Sequence, residues 1–208
     1  MLMMPPSPSS NETCIHLIRH GEHAEFGQRL SGRSGTAALT ESGRRQASRV
    51  GTWHGLAAPF SVHASPQSRT LETAHIIAAL HEAEVVRADA LDEIDFGEWS
   101  GLAFADLNAD PRWAMWNHSR STASAPGGET MAQSVGRAVS YVVAAARASR
   151  GTTILFVTHC DVIRGVLAHF LGLNLDNILR FDVGPGSIST IKIGEHGACI
   201  ARINEVPA

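Results

Sequence analysis

Two short apolar runs in this chain break off at a histidine. Cys14 to Ile18 leads into Arg19, His20, Gly21 and Glu22, and Thr153 to Thr158 leads into His159, Cys160 and Asp161. Runs so short and so apolar suit central parallel strands buried on both faces, and Gly21 permits a sharp turn after His20. Arg19, His20 and His159 therefore fall at carboxyl ends of strands, the rim where open α/β sheets bind ligands.

Between and beyond these runs the pattern alternates. Thr40 caps a helix whose apolar positions are Leu39, Ala47, Val50 and Leu56, and Pro59 precedes a strand over 61–64. Ser65 and Pro66 open a helix from about 68 to 80 with Arg69 in its first turn. A strand over 84–87, an alanine-rich helix over 130–150 and a helix over 161–171 follow, the last stopping near Gly172. Stretches 178–183, 187–193 and 198–203 complete the β content. This alternation predicts an α/β fold, three layers α/β/α around a mostly parallel sheet with at least one added edge strand. From about 90 to 128 the alternation lapses, which predicts an inserted lid. Its Trp99, Trp113 and Trp116 are expected to form a small satellite core, leaving Arg112 and His118 as candidate substrate contacts.

Composition narrows the class. The 208 residues are 44% hydrophobic and 18% charged with a net charge of −3, so no bulk signature of nucleic-acid or membrane binding exists. Cys14, Cys160 and Cys199 are three and widely spaced, which fits neither a disulfide framework nor a zinc site and points to a reducing compartment. Residues 1–13 are rich in proline and serine, lack the basic and apolar regions of a secretory signal, and read as a flexible tail. Residues 14–208 read as a single domain, expected in the cytoplasm.

The chemistry comes from four side chains. A neutral imidazole is a nucleophile at neutral pH, and guanidinium groups stay charged and can grip two phosphate oxygens at once. Arg19, Arg69, His20 and His159 together make a phosphoryl-transfer constellation that no single histidine would. A metal site from His16, His20 and His23 requires a helix, which the strand pattern and Gly21 contradict. A cysteine-phosphatase loop from Cys160 to Arg164 is too short, with three intervening residues where phosphate needs five. Glu22 reads as a structural residue of the turn.

Leu17 to Glu22, with Ser65, Pro66, Arg69, Glu72, Thr73 and Ala74, with Leu91, Glu93, Phe96 and Gly97, with Pro126 to Glu129 and with Val157 to His159, resembles in order the histidine phosphatase superfamily, phosphoglycerate mutase-like in fold. The resemblance implies that His20 is phosphorylated in turnover while Arg19, Arg69 and His159 hold the phosphoryl group. It implies Glu93 as the acid that protonates the leaving oxygen and then activates water, with Glu129 in reserve. Cys160 is expected to offer its backbone N–H to the substrate. The loop asparagine usual after the Arg-His-Gly-Glu segment is absent, and Gln28 or His23 stands in as a candidate replacement. The implied activity is a metal-independent phosphomonoesterase acting on a small phosphorylated metabolite, with no cofactor. A phosphoglycerate mutase or a catalytically weak phosphate-binding module is the alternative, and a homodimer stays open. A less enclosed chain favours hydrolysis over retention of the phosphoryl group.

Overall fold

The computed structural model describes residues 12–34, 36–56 and 60–208. Six strands, β1 (Thr13–Arg19), β2 (Phe60–Ala64), β3 (Val85–Arg87), β4 (Thr153–Thr158), β5 (Ile188–Gly194) and β6 (Gly197–Glu205), form one sheet in the order β3-β2-β4-β1-β5-β6. The first four in that order run parallel; β5 pairs antiparallel with β1, and β6 with β5. The expected tail over 1–13 lies mostly outside the described residues, although Thr13 already belongs to β1.

Alternation along the two central strands sorts their side chains between two layers. Ile15, Leu17, Ile154 and Phe156 enter one apolar cluster, whereas Ile18, Leu155 and Val157 enter the other. The second cluster is completed by Val50 from α1 (Glu41–Gly51) and by Ala74 and Ile77 from α2 (Ser68–Ala79). The first takes Met131, Ala138 and Val142 from α5 (Met131–Ala148) and Val162, Val166 and Leu167 from α6 (Cys160–Leu171). Helices thus cover both faces of a mixed sheet, as the alternation predicted. Caps fix the helix starts: Thr40 accepts from Gly43 N at 3.0 Å, and Thr130 and Gln133 form a reciprocal capping box on α5. No helix among the described residues is long and apolar enough to cross a membrane.

Two expectations need correction. The strand predicted over 178–183 is not formed: a 3-10 helix, Leu175–Arg180, takes its first half, with Asn174 Oδ1 accepting from Asp176 N at 2.8 Å and Ile178 buried while Leu179 faces out. The tryptophans between 90 and 128 do not form a satellite core. Trp99 and Trp116 are buried in the main cluster with Phe96, Leu107 and Met131, so short helical turns, α3 (Phe104–Ala109) and α4 (Pro111–His118), build this stretch into the body of the fold.

Candidate active site

Parallel pairing of β1 with β4 puts Arg19 opposite Thr158, so the residues one step beyond each tip are neighbours. The His20 and His159 rings lie 5.3 Å apart, centre to centre. The turn after His20 is held by backbone contact with α1. A Cβ on Gly21 would collide with the Gly43 carbonyl, and one on Gly43 with that of Glu22. Gly21 N donates to Thr73 Oγ1 at 3.1 Å, and the Glu22 carboxylate accepts from Thr40 Oγ1 at 3.0 Å, the structural part expected of Glu22.

Hydrogen bonds fix both tautomers. His20 Nδ1 lies 2.8 Å from the Gly21 carbonyl, which can only accept, so Nδ1 carries the proton and Nε2 keeps its lone pair. Burial first, then the charges of Arg69 and Arg19, hold the His20 pKa well below 6.5, which leaves the ring neutral and nucleophilic. Arg69 Nη2 donates to His159 Nδ1 at 3.0 Å and to the Gly32 carbonyl at 2.8 Å. A guanidinium cannot accept, so His159 is protonated on Nε2, which donates to Ser65 Oγ at 2.8 Å. Ser65 in turn donates to Asp92 Oδ1 at 3.2 Å, and Gln67 Nε2 donates to the same oxygen at 2.8 Å. Burial and Arg69 also push the His159 pKa down.

Glu93 presents the opposite case. Its side chain is 13% exposed, with Oε2 at 3.7 Å from His159 Nδ1. Burial, reinforced by the negative charge of Asp161 and opposed by Arg69, raises its pKa from 4.5 to about 7. Burial pushes Asp161 up as well, but Arg120 and Arg164 outweigh it and keep that carboxylate ionised; Arg120 Nη1 reaches Asp161 at 2.7 Å. Arg33 and Arg137 both donate to the Glu93 carbonyl, at 2.8 and 2.9 Å, and so anchor the backbone that carries the acid. Glu129 is the partner of those arginines. It accepts from Arg33, Arg137 and Asp95 N at 2.9, 3.0 and 3.1 Å, and although burial raises its pKa, these donors outweigh it and hold it low. A carboxylate so paired stays ionised and is a poor acid.

Arg19, His20, His23, Arg69 and Glu93 line one cavity of about 280 Å³, and His159, fully buried, supports it from behind Arg69. Arg19 Nη1 donates to the Val183 carbonyl at 2.6 Å, while its buried Nε has no partner. Gln28 is exposed and outside the cavity lining; of the two candidate replacements for the loop asparagine, only His23 is present there. His23 Nδ1 is buried without a partner, and burial together with Arg69 and Arg19, against Glu25 and Glu22, lowers its pKa to about 4. Cys160 also lies off the lining; its Sγ faces the Val183 carbonyl at 3.4 Å, and burial raises its pKa to about 11. Arg112 and His118 are exposed and away from the cavity, and Arg112 is paired with Asp110 and Glu98. His16 bonds Thr190 Oγ1 at 3.0 Å and packs edge-on to Trp53, apart from His20 and His23. A larger apolar groove of about 340 Å³, lined by Thr13, Val143, Phe170 and Ile193 among others, begins at the opposite end of β1.

The sequence reading missed the support behind His159. The sequence marks Ser65 as a helix opener and as part of the family-like segment, and gives Asp92 no part. The available signal was position: β2 pairs with β4, which sets Ser65, one residue beyond its strand, beside the tip that carries His159. The Arg120–Asp161 pair had no such signal, because it joins distant parts of the chain.

Comparison with known proteins follows the same lines. An acid phosphatase of Mycobacterium tuberculosis is 34% identical over 187 residues, covering 87% of this chain and 86% of the relative. Phosphoserine phosphatase 1 of Hydrogenobacter thermophilus is 26% identical over 168 residues, 80% of each chain. The solved structure of Bacillus stearothermophilus YhfR superposes with a TM-score of 0.86 at 25% identity, covering 94% of this chain and 98% of that one. A family model spans residues 15–206, from within β1 to just beyond β6, and by that match the chain belongs to the histidine phosphatase superfamily (branch 1).

Proposed function

We propose that this protein is a phosphomonoester hydrolase working through a phosphohistidine on His20. The observation that carries the reading is the fixed tautomer of His20: its proton is bonded to the Gly21 carbonyl, and its free Nε2 belongs to a ring lining the same cavity as Arg19 and Arg69. Nε2 attacks phosphorus, the P–O bond to the alcohol breaks, and protonated Glu93 donates to the departing oxygen. Arg19 and Arg69 hold the phosphoryl oxygens, with His159 setting the Arg69 guanidinium and His23 offering one further imidazole. Ionised Glu93 then takes a proton from water, water displaces His20 from phosphorus, and phosphate leaves with both side chains restored. The phosphatase names carried by the relatives support hydrolysis as the overall reaction.

The test is phosphate release from an aryl phosphate and a panel of phosphorylated metabolites, with excess chelator, by wild type and His20→Ala. Turnover in chelator, absent in a variant of unchanged circular dichroism, is expected. Acid-labile, base-stable phosphate on the wild type would accompany it. Turnover that survives His20→Ala sinks the mechanism, and isomerisation of phosphoglycerate with a long-lived phosphoenzyme would make the protein a mutase instead.

A further inference from the structure

The cavity has two unlike ends. Its inner end is the charged group of Arg19, His20, Arg69 and Glu93, and its remaining wall includes Phe26, Leu30 and Phe104. Two loop stretches clamp together to make that wall. Phe104 N donates to the Gln28 carbonyl at 3.0 Å, Leu30 N to that of Leu102 at 2.9 Å, and Gly101 N to that of Leu30 at 2.7 Å, with a bridge between Arg29 and Ala103. Phe26 is 39% exposed and lies on the rim of the cavity. It stands 5.3 Å from the Arg19 guanidinium carbon and 6.4 Å from the His23 ring, centre to centre, one ring's width from the phosphate-holding groups.

An alcohol displaced in line leaves on the side of phosphorus away from His20, within the cavity that Phe26, Leu30 and Phe104 also line. Beyond the charged group, the cavity's side chains are apolar Phe26, Leu30 and Phe104 and polar His23, Arg29 and Ser31. Ser31 Oγ donates to Glu25 at 2.6 Å, and Arg29 spends one of its five N–H donors on the Gly101 carbonyl at 3.0 Å. Among the described residues, Glu93 is the one carboxylate that lines the cavity. A volume of about 280 Å³ is at the small end for ligand sites, room for a phosphoryl group and about one ring rather than a nucleotide.

We propose that Phe26, Leu30 and Phe104 form a leaving-group subsite for small, uncharged aromatic alcohols, so that the preferred substrates are single-ring phosphomonoesters rather than phosphorylated amino acids or nucleotides. The proposal rests on the phosphomonoester reading of the inner end, and its test separates the two. Benzylphosphonate and methylphosphonate cannot be hydrolysed and differ by the ring alone. Calorimetric titration of the wild type is expected to show benzylphosphonate binding at least tenfold tighter, with Phe26→Ala narrowing that ratio several-fold. In turnover, kcat/KM for phenyl or benzyl phosphate is expected to exceed that for phosphoserine and for a nucleoside monophosphate by at least tenfold. Equal binding of the two phosphonates overturns the subsite even if esters are hydrolysed. A retained preference for benzylphosphonate with no ester hydrolysed upholds the subsite and refutes the hydrolase reading. Faster turnover of phosphoserine than of the aryl esters overturns the subsite, as does a ratio unmoved in Phe26→Ala.

Discussion

Removing the proton that Glu93 carries puts a number on the mechanism. A glutamate left at 4.5 is protonated in about one molecule in 300 at pH 7, whereas one at about 7 is protonated in about half, so burial and Asp161 raise the supply of acid roughly 10²-fold. Glu93→Gln keeps the shape and the hydrogen-bonding capacity but has no proton to transfer. General-acid catalysis contributes typically about 10²- to 10⁴-fold, and the loss depends on how much the leaving oxygen needs the proton. An alkyl or benzyl ester expels a strongly basic alkoxide and is expected to lose kcat/KM over that whole range. A nitrophenyl ester expels a stabilised phenolate and is expected to lose less than about tenfold. The wild-type kcat/KM for the alkyl ester is also expected to fall above about pH 7 as Glu93 ionises, and that limb is expected to vanish in the variant. The assay is initial rate against pH for the two esters with both proteins. Equal loss on both esters, or a limb near pH 7 that survives Glu93→Gln, refutes the assignment of Glu93 as the acid.

Other perturbations test the surroundings. Ser65→Ala leaves the His159 Nε2 proton without its acceptor in a fully buried place, so kcat/KM is expected to fall roughly 10- to 100-fold and urea unfolding to show a loss of about 1–3 kcal/mol; kinetics within twofold of wild type would count against the tautomer argument. Gly43→Ala drives a methyl into the Glu22 carbonyl and is expected to cost about 2–4 kcal/mol in urea unfolding, and an unchanged midpoint would show that the turn can yield. Stability is expected to depend on pH through four buried histidines. His16, His20, His23 and His159 all have folded pKa values below 6.5, about 4 for His16 and His23, so the unfolded chain binds more protons and Tm should drop as pH falls from 6.5 toward 4. Glu93 works the other way, since its raised pKa contributes stability below 4.5 that is lost as pH rises to about 7, but it is one group against four. A Tm that is flat or rising on acidification from pH 6.5 to 5 would contradict the neutral buried histidines.

What the sequence made legible was local or periodic. The runs ending at His20 and His159 are apolar on both faces because both faces are covered by helices, and the same patterning sets Arg19 opposite Thr158. Arg69 was readable because a first helical turn after a strand faces the same rim. The stretch over 175–180 was not, since Ile178 is its one fully buried side chain and the deciding bond is local, Asp176 N donating to Asn174 Oδ1. Side chains committed to distant partners were equally opaque. Glu129 is claimed by Arg33 and Arg137, and Ser65 by His159 and Asp92, none of which a linear pattern records. The tryptophans were misjudged because an irregular stretch can still supply a main core when its short helical turns carry Trp99 and Trp116 inward.

The pairing of β1 with β4 carries a kinetic consequence. Strands that meet at Cys14 and Thr153 are drawn from opposite parts of the chain, and Arg69 must find His159, 90 positions away. Helices such as α5 can form early from neighbouring residues, but the nucleophile, its clamp and its acid come together only when this long-range closure is complete. During refolding, helical circular dichroism is therefore expected to return before phosphate-releasing activity does, and simultaneous recovery of the two signals would contradict this order.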